Sequence, residues 1–346
     1  MGGRRMERTR WLAVGLAAAL AAPGVLAGNG GGNGGGNGGG KGGGGGGDPE
    51  PAADPRVVYS EHDGTQWTIR VCNADGSSPS VVLAVDGTYG STNPDPSWSP
   101  DRTEIVFRAR DASGTALFVV GSDGTGLTKI VSGSLTEVYD PTWSPGPAPD
   151  GDHKIAFAAS PDGRHGQVYV CNPDGSELVN VTGDLGRSDF SPAWSPDATR
   201  IAAGTSTQFV LPRGVRVYTL SAAGTTVSAD SGTDVTPGTA LDGAQLHGID
   251  WSPSGDLLVT EVRDEQDDLH ADLWTLDLAD GTAIRLTATA GNDERDPAWS
   301  PDGSQVVFLY VGTKKEAKRT GLYTVDATGA SRTGLGIANG RSPDWR

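Results

Sequence analysis

A segment reading "DPSWSPDRTEIVF" at residues 95–107 returns along the chain as "DPTWSP" from Asp140, "SPAWSP" from Ser191, "GIDWSPSGDLLV" from Gly248 and "DPAWSPDGSQVVF" from Asp296, and "SPDW" at Ser342 closes the sequence. The tryptophans of these copies, at 98, 143, 194, 251, 299 and 345, are spaced 45, 51, 57, 48 and 46 residues apart. A period of this size marks one supersecondary unit per copy, and such units bury their apolar faces only by packing on their neighbours.

Each copy carries the same order of signals. After the tryptophan and a Ser-Pro turn comes an apolar run (Ile105–Phe107, Ile155–Phe157, Ile201–Ala203, Leu257–Val259, Val306–Phe308), then a second run with an aromatic ("LFVV", "VYVC", "VYTL", "LWTL", "LYTV"). A turn, Asp-Gly at 123–124, 174–175 and 280–281, leads to a weaker strand such as "LVNVT" or "AIRLT". Short β-rich runs at this density, without a sustained 3.6-residue apolar period, predict an all-β fold with almost no helix. With the tryptophan segment as a fourth strand, the chain reads as a six-bladed β-propeller of four-stranded blades.

The rigid residues fit that reading. In Ser-Pro-Asp-Gly, serine opens the turn, proline pre-sets φ and glycine suits the last position. The tryptophan is large enough to fill the wedge between sheets, and six of the nine tryptophans occupy this one slot. The proline ahead of it is expected to block pairing and fix where the strand begins. The first unit starts at "RVVYSE" (Arg56) with an apolar strand, and the chain stops on a tryptophan strand, so the ring is expected to close by pairing those two ends, the alternative being that each blade is made from one contiguous repeat.

The pattern "DPxWSPDGxxIxF…YVxNxDG" resembles the PD40, or WD40-like, repeat of TolB-type propellers over residues 56–346. The resemblance implies a six-bladed extracytoplasmic propeller. TolB carries an α/β domain ahead of its propeller, whereas here a glycine-rich segment stands in that place. The copy at Asp140 interrupts its turn as "SPGPAPDG" and the interval from Trp194 to Trp251 is stretched to 57 residues, so a Tol–Pal role does not follow from the fold.

Residues 1–27 pair Arg4, Arg5, Arg8 and Arg10 with "WLAVGLAAALAAPGVLA", which ends in small residues. This is the pattern of a secretory signal, the run being short for a membrane span. Residues 28–55, "GNGGGNGGGNGGGKGGGGGGDPEPAADP", hold almost nothing apolar and read as a flexible linker. Their GxGxxG has no strand before it and no helix after it, which discards a nucleotide site. Residues 56–346 form the propeller domain. The formal net charge is −16, which disfavours nucleic acid and anionic membrane surfaces. The expected product is a periplasmic or secreted monomer, without membrane insertion once the signal is cleaved.

Enzyme signatures are sparse: there is no GxSxG, HExxH or GxxxxGK[ST], and the five histidines are scattered. His247 and His270 are the best candidates, without a partner pattern. "RDEQDDLHAD" (263–272) gathers carboxylates but lacks the EF-hand spacing, and Asn180-Val-Thr182 matches a glycosylation sequon. No cofactor is implied. Cys72 and Cys171 hold the same slot in the first and third units and are expected to be unbridged core residues.

The segments just upstream of the six tryptophans must reach one end of a ring of repeats. They hold Asp95, Glu137, Asp140, Asp189, Asp250, Asp293, Glu294, Asp296 and Asp344 against Arg295 and Arg341, with His247 neutral. All but Asp344 are taken as candidate binding residues, an acidic rim that draws in a basic peptide or protein surface. The alternative for Asp95, Asp140 and Asp296, which share one repeat position, is that they accept backbone hydrogen bonds from the next blade. The functional expectation is a non-catalytic binding scaffold; the alternative is an extracytoplasmic hydrolase or lyase acting on polysaccharide or peptide fragments at the tunnel mouth.

Overall fold

The computed structural model describes residues 56–346 except 86–91, 132–134, 136, 162–165, 184–186, 208–213, 224–225, 231, 236–240, 242–243, 264–269 and 313–318. The signal and linker assigned to residues 1–55 lie outside the described residues, as does most of the acidic 263–272 segment. Six antiparallel sheets follow one another along the chain, five of four strands and one of five, and no α-helix occurs among the described residues. This is the six-bladed propeller that the repeat predicts.

The tryptophan strands are innermost: Val138–Trp143, Arg187–Trp194, Gln245–Trp251 and Asp293–Trp299 in blades three to six, with only Ser97–Trp98 in blade two. Blade one is made from both ends of the described chain. Its inner strand, Gly340–Trp345, pairs with Arg56–His62, and Arg56 and Arg346 exchange backbone hydrogen bonds at 2.7 and 3.1 Å. The ring therefore closes as the order of signals suggests.

Each tryptophan fills a seam between two blades. Trp98 packs with Ile105 and Phe107 of its own blade and with Val58, Ile69 and Val71 of blade one. Trp345 joins Val57 and Tyr59 to Val307 and Leu322 of blade six. An indole that buries on the order of 200 Å² contributes about 5 kcal/mol by area, so the six equivalent seams carry much of the fold.

In blade two the inner strand begins just after Pro96, as expected, but elsewhere the proline does not end the strand. In blades three to six the inner strand continues upstream of the turn-proximal residues, and the register to the second strand shifts across them, for example between Tyr139 and Thr142 and between Arg295 and Ala298. The residue three places before each tryptophan (Asp95, Asp140, Ser191, Gly248, Asp296, Ser342) has φ between 43° and 51°. A left-handed residue followed by a bulge lets the strand absorb the proline, and pairing resumes beyond it.

The two irregular repeats are accommodated locally. In blade three Ser144 N–H still donates to the Lys154 carbonyl at 2.8 Å across the longer loop. Lys154 is buried there and paired with Asp150 at 2.7 Å and Glu177 at 3.3 Å. In blade four the stretched interval supplies a fifth strand, since Thr226–Ala229 and Thr233–Val235 pair with different halves of Gly214–Ala223. Cys72 and Cys171 are buried free thiols in blades one and three, pushed up to about 11 and about 12 by burial.

Candidate functional site

The bulges carry six equivalent residues to one end of the central tunnel. There they line an open cavity of about 460 Å³ with Pro96, Pro141, Pro192, Pro297 and Pro343. Asp95, Asp140, Asp250, Asp296 and Asp344 all lie in its wall. Glu261, Arg263, Gln245, His247 and Arg295 complete the charged and polar lining. Six carboxylates thus face two arginines and one histidine.

Two tiers hold these carboxylates. In the bulge tier, Asp95 is ion-paired to Arg108 at 2.6 Å and accepts hydrogen bonds from Asn93 Nδ2 at 2.7 Å and Ser342 Oγ at 2.8 Å. Asp140 accepts from Ser191 Oγ at 2.9 Å, and Asp296 faces Ser342 Oγ at 3.4 Å. The shared slot therefore links neighbouring blades mainly through side-chain hydroxyls. In the lower tier, the residue immediately before the tryptophan grips the main chain of the next blade. Asp250 accepts from Trp299 N–H and Asp344 from Trp98 N–H, both at 2.7 Å, and Ser97 Oγ stands 3.4 Å from Trp143 N.

Crowding raises the proton affinity of this wall. Burial, opposed by Arg108 and reinforced by Asp140 and Asp296, pushes Asp95 up to about 7. Burial likewise pushes Asp250 and Glu261 up to about 7, Glu261 with help from the Asp296 charge. Asp296 is raised by burial and by Asp140. His247 is lowered by burial and then by Arg263, which favours the neutral ring. These are the signs expected of like charges gathered in a partly dry site.

Four of the candidate residues stand elsewhere, two turned away by strand alternation and two drawn off by partners on the preceding blade. Asp189 and Glu294, five places before their tryptophans, turn onto the opposite face and are buried; Asp189 accepts from Tyr218 Oη at 3.1 Å. Glu137 and Asp293, six places before, reach back to the preceding blade. Glu137 meets Arg110 at 3.1 Å, and Asp293 accepts from Ala271 N–H at 3.0 Å and meets His270 at 3.3 Å.

Sequence reasoning passed over Glu261 and Arg263, which come from the second strand of blade five, Leu257–Arg263, where His247 pairs with Glu261. The signal was present: "TEVR" carries alternate charges on its strand, as "FRAR" does at 107–110, whereas "FLYV" at 308–311 is apolar. Trp251 pairs with Leu258 as Trp98 pairs with Ile105, so Glu261 occupies in blade five the slot that Arg108 occupies in blade two. Among the described residues no group of three or more His, Cys, Asp or Glu side chains is disposed to hold a metal ion. The Asn180 sequon is tied down, Asn180 Nδ2 donating to Gln167 at 2.6 Å, with Thr182 buried.

Fold and tunnel mouth together define a six-bladed propeller with an acidic, inter-blade-laced opening. The PD40 family, described as the TolB beta propeller domain, matches residues 54–346, and the chain belongs to that family. Among solved structures it is similar to TolB from Acinetobacter baumannii (21% identity, TM-score 0.61), covering 84% of this chain and 66% of that one. A putative TolB from Agrobacterium tumefaciens shares 17% identity with a TM-score of 0.57, over 83% of this chain and 91% of that one. Hydrazine synthase of Kuenenia stuttgartiensis, at 15% identity and TM-score 0.62, matches over 84% of this chain and 46% of its own. Proteins of different function share the propeller, so these likenesses speak for the fold alone.

Proposed function

We propose that this protein is an extracytoplasmic, non-catalytic scaffold that takes a basic segment of a protein partner at the tunnel mouth. The observation that carries this reading is the cavity wall itself: six carboxylates from blades one, two, three, five and six, against Arg263 and Arg295. Like charges converging on a low-dielectric opening focus the field and favour a cationic ligand. Export rests on the arginine-led apolar segment at the N-terminus and on the family's extracytoplasmic character.

The test uses a labelled hexalysine peptide as probe. Asp140 is the informative site, because its carboxylate lines the cavity and is held by the Ser191 hydroxyl. Asp140→Asn is expected to weaken probe binding several-fold and to flatten its salt dependence, with the thermal midpoint unchanged. Asp123→Asn, which removes the same charge from an exposed outer turn, is the control. Equal binding by the two variants would refute the mouth as the binding surface.

A further inference from the structure

Five of the six residues that the bulges aim at the tunnel bring a side chain; the sixth is Gly248, in blade five. Its φ is +51°, and a Cβ there would lie 3.1 Å from Pro297 Cδ and 3.4 Å from Asp296 Cα. The missing side chain leaves a notch in the wall beside the bulge of blade six. Glu261, paired in register with His247, lines the cavity next to it although only 4% of the residue is exposed. Arg263 takes one of its oxygens, Nε and Nη2 both donating to Oε1 at 3.1 Å. Among the described residues nothing donates to Oε2.

Blade two fills the same two positions with the opposite chemistry. Its slot residue is a carboxylate, Asp95, and its equivalent of Glu261 is Arg108. The Arg108 guanidinium meets Asp95 at 2.6 Å, and its Nε donates to the Asn93 carbonyl at 2.9 Å. A cation is thus built into the wall of blade two, whereas blade five offers a carboxylate and an empty slot. We propose that the Gly248 notch is the anchor pocket for one arginine side chain of the basic partner, its guanidinium held by Glu261 with Asp296 alongside. The proposal rests on the reading of the mouth as a cation-binding surface and adds which basic residue it selects. A guanidinium carries five donors on a planar fork, so it can bridge two carboxylates, and it is more weakly hydrated than an ammonium on entering a nearly dry pocket. The two arginines of the wall are already engaged, Arg263 with Glu261 Oε1 and Arg295 with Asp293.

Binding of labelled hexaarginine and hexalysine to the full chain at pH 8, where Glu261 is ionised, tests the pocket. The two peptides match in length and charge, and the arginine peptide is expected to bind several-fold more tightly. Glu261→Gln keeps an acceptor for Arg263 and is expected to abolish most of that preference. Gly248→Ser fills the notch without changing charge, using the residue that blades one and four carry in this slot at φ 44° and 48°, and is expected to do the same. Asp140→Asn is expected to weaken both peptides alike and to keep the preference. Equal affinity of the wild type for the two peptides, or a preference that Glu261→Gln leaves intact, would overturn the notch and leave the mouth reading standing. A wild type that binds neither peptide would overturn both. If Gly248→Ser fails to fold, Glu261→Gln decides alone.

Discussion

Gly175 shows how a single residue serves two blades. Its φ is +81°, and a Cβ there would lie 1.9 Å from the Ile130 carbonyl oxygen on the outer strand of blade two. Gly76, Gly124 and Gly329 meet Leu335, Val82 and Leu286 oxygens in the same way, at 2.2–2.4 Å. The Asp-Gly turns at 123–124 and 174–175 were legible in the sequence as turns; that they are pressed against the preceding blade was not, because turn chemistry is local and these contacts span 42 and 45 residues. Gly175→Ala is expected to cost at least about 2 kcal/mol, strain and clash together. Gly126→Ala, at φ +70° with nothing within 4 Å, is expected to cost about 1 kcal/mol for the left-handed backbone alone. Denaturant melts of the two variants check this, and equal costs would remove the blade contact from the explanation.

At the level of the element, the inner strand does three things within eight residues. Its tryptophan fills the seam, its bulge aims a side chain at the tunnel, and the residue between them can hold the next blade. Asp250 is the clearest case, accepting the Trp299 N–H at 2.7 Å from the wall of the tunnel mouth. Asp250→Ala orphans that N–H and is expected to cost about 1–3 kcal/mol, whereas Asp250→Asn keeps a carbonyl acceptor and is expected to cost less. Equilibrium unfolding distinguishes them, and an alanine variant as stable as the asparagine one would show that the staple carries no weight. The bulge itself was not readable from "DPxW". Proline's missing donor argued for a strand end, and only the register shift beside it shows how pairing survives.

Over the whole molecule, the ring depends on its last strand. Gly340–Trp345 supplies blade one with its inner strand, Trp345 to the blade six seam and Asp344 to the Trp98 N–H. A variant lacking residues 340–346 is expected to lose cooperative unfolding and to expose the blade one and blade six cores to a hydrophobic dye. A variant lacking residues 1–53, which have no core-forming apolar segment after residue 27, is expected to keep its thermal midpoint within a few degrees. Retained cooperativity in the first, or a large drop in the second, would contradict this division of the chain.

The amino-acid sequence by itself determined the blade count, the tryptophan seams and the Ser-Pro-Asp-Gly turns; that the ring closes by pairing its two end strands was one of two arrangements it allowed, and the structure decided it. The first three follow from residues whose roles are local or repeat at a fixed period. The recurring slot before each tryptophan also placed Asp95, Asp140, Asp250 and Asp296 at one end of the tunnel. Only the tertiary structure decided which carboxylates face that tunnel. One residue of phase turns Asp189 and Glu294 into the seams, and two further charges, Glu261 and Arg263, arrive from a neighbouring strand. Side-chain direction along a bulged strand depends on pairing between distant segments, and a period in the sequence does not carry that phase.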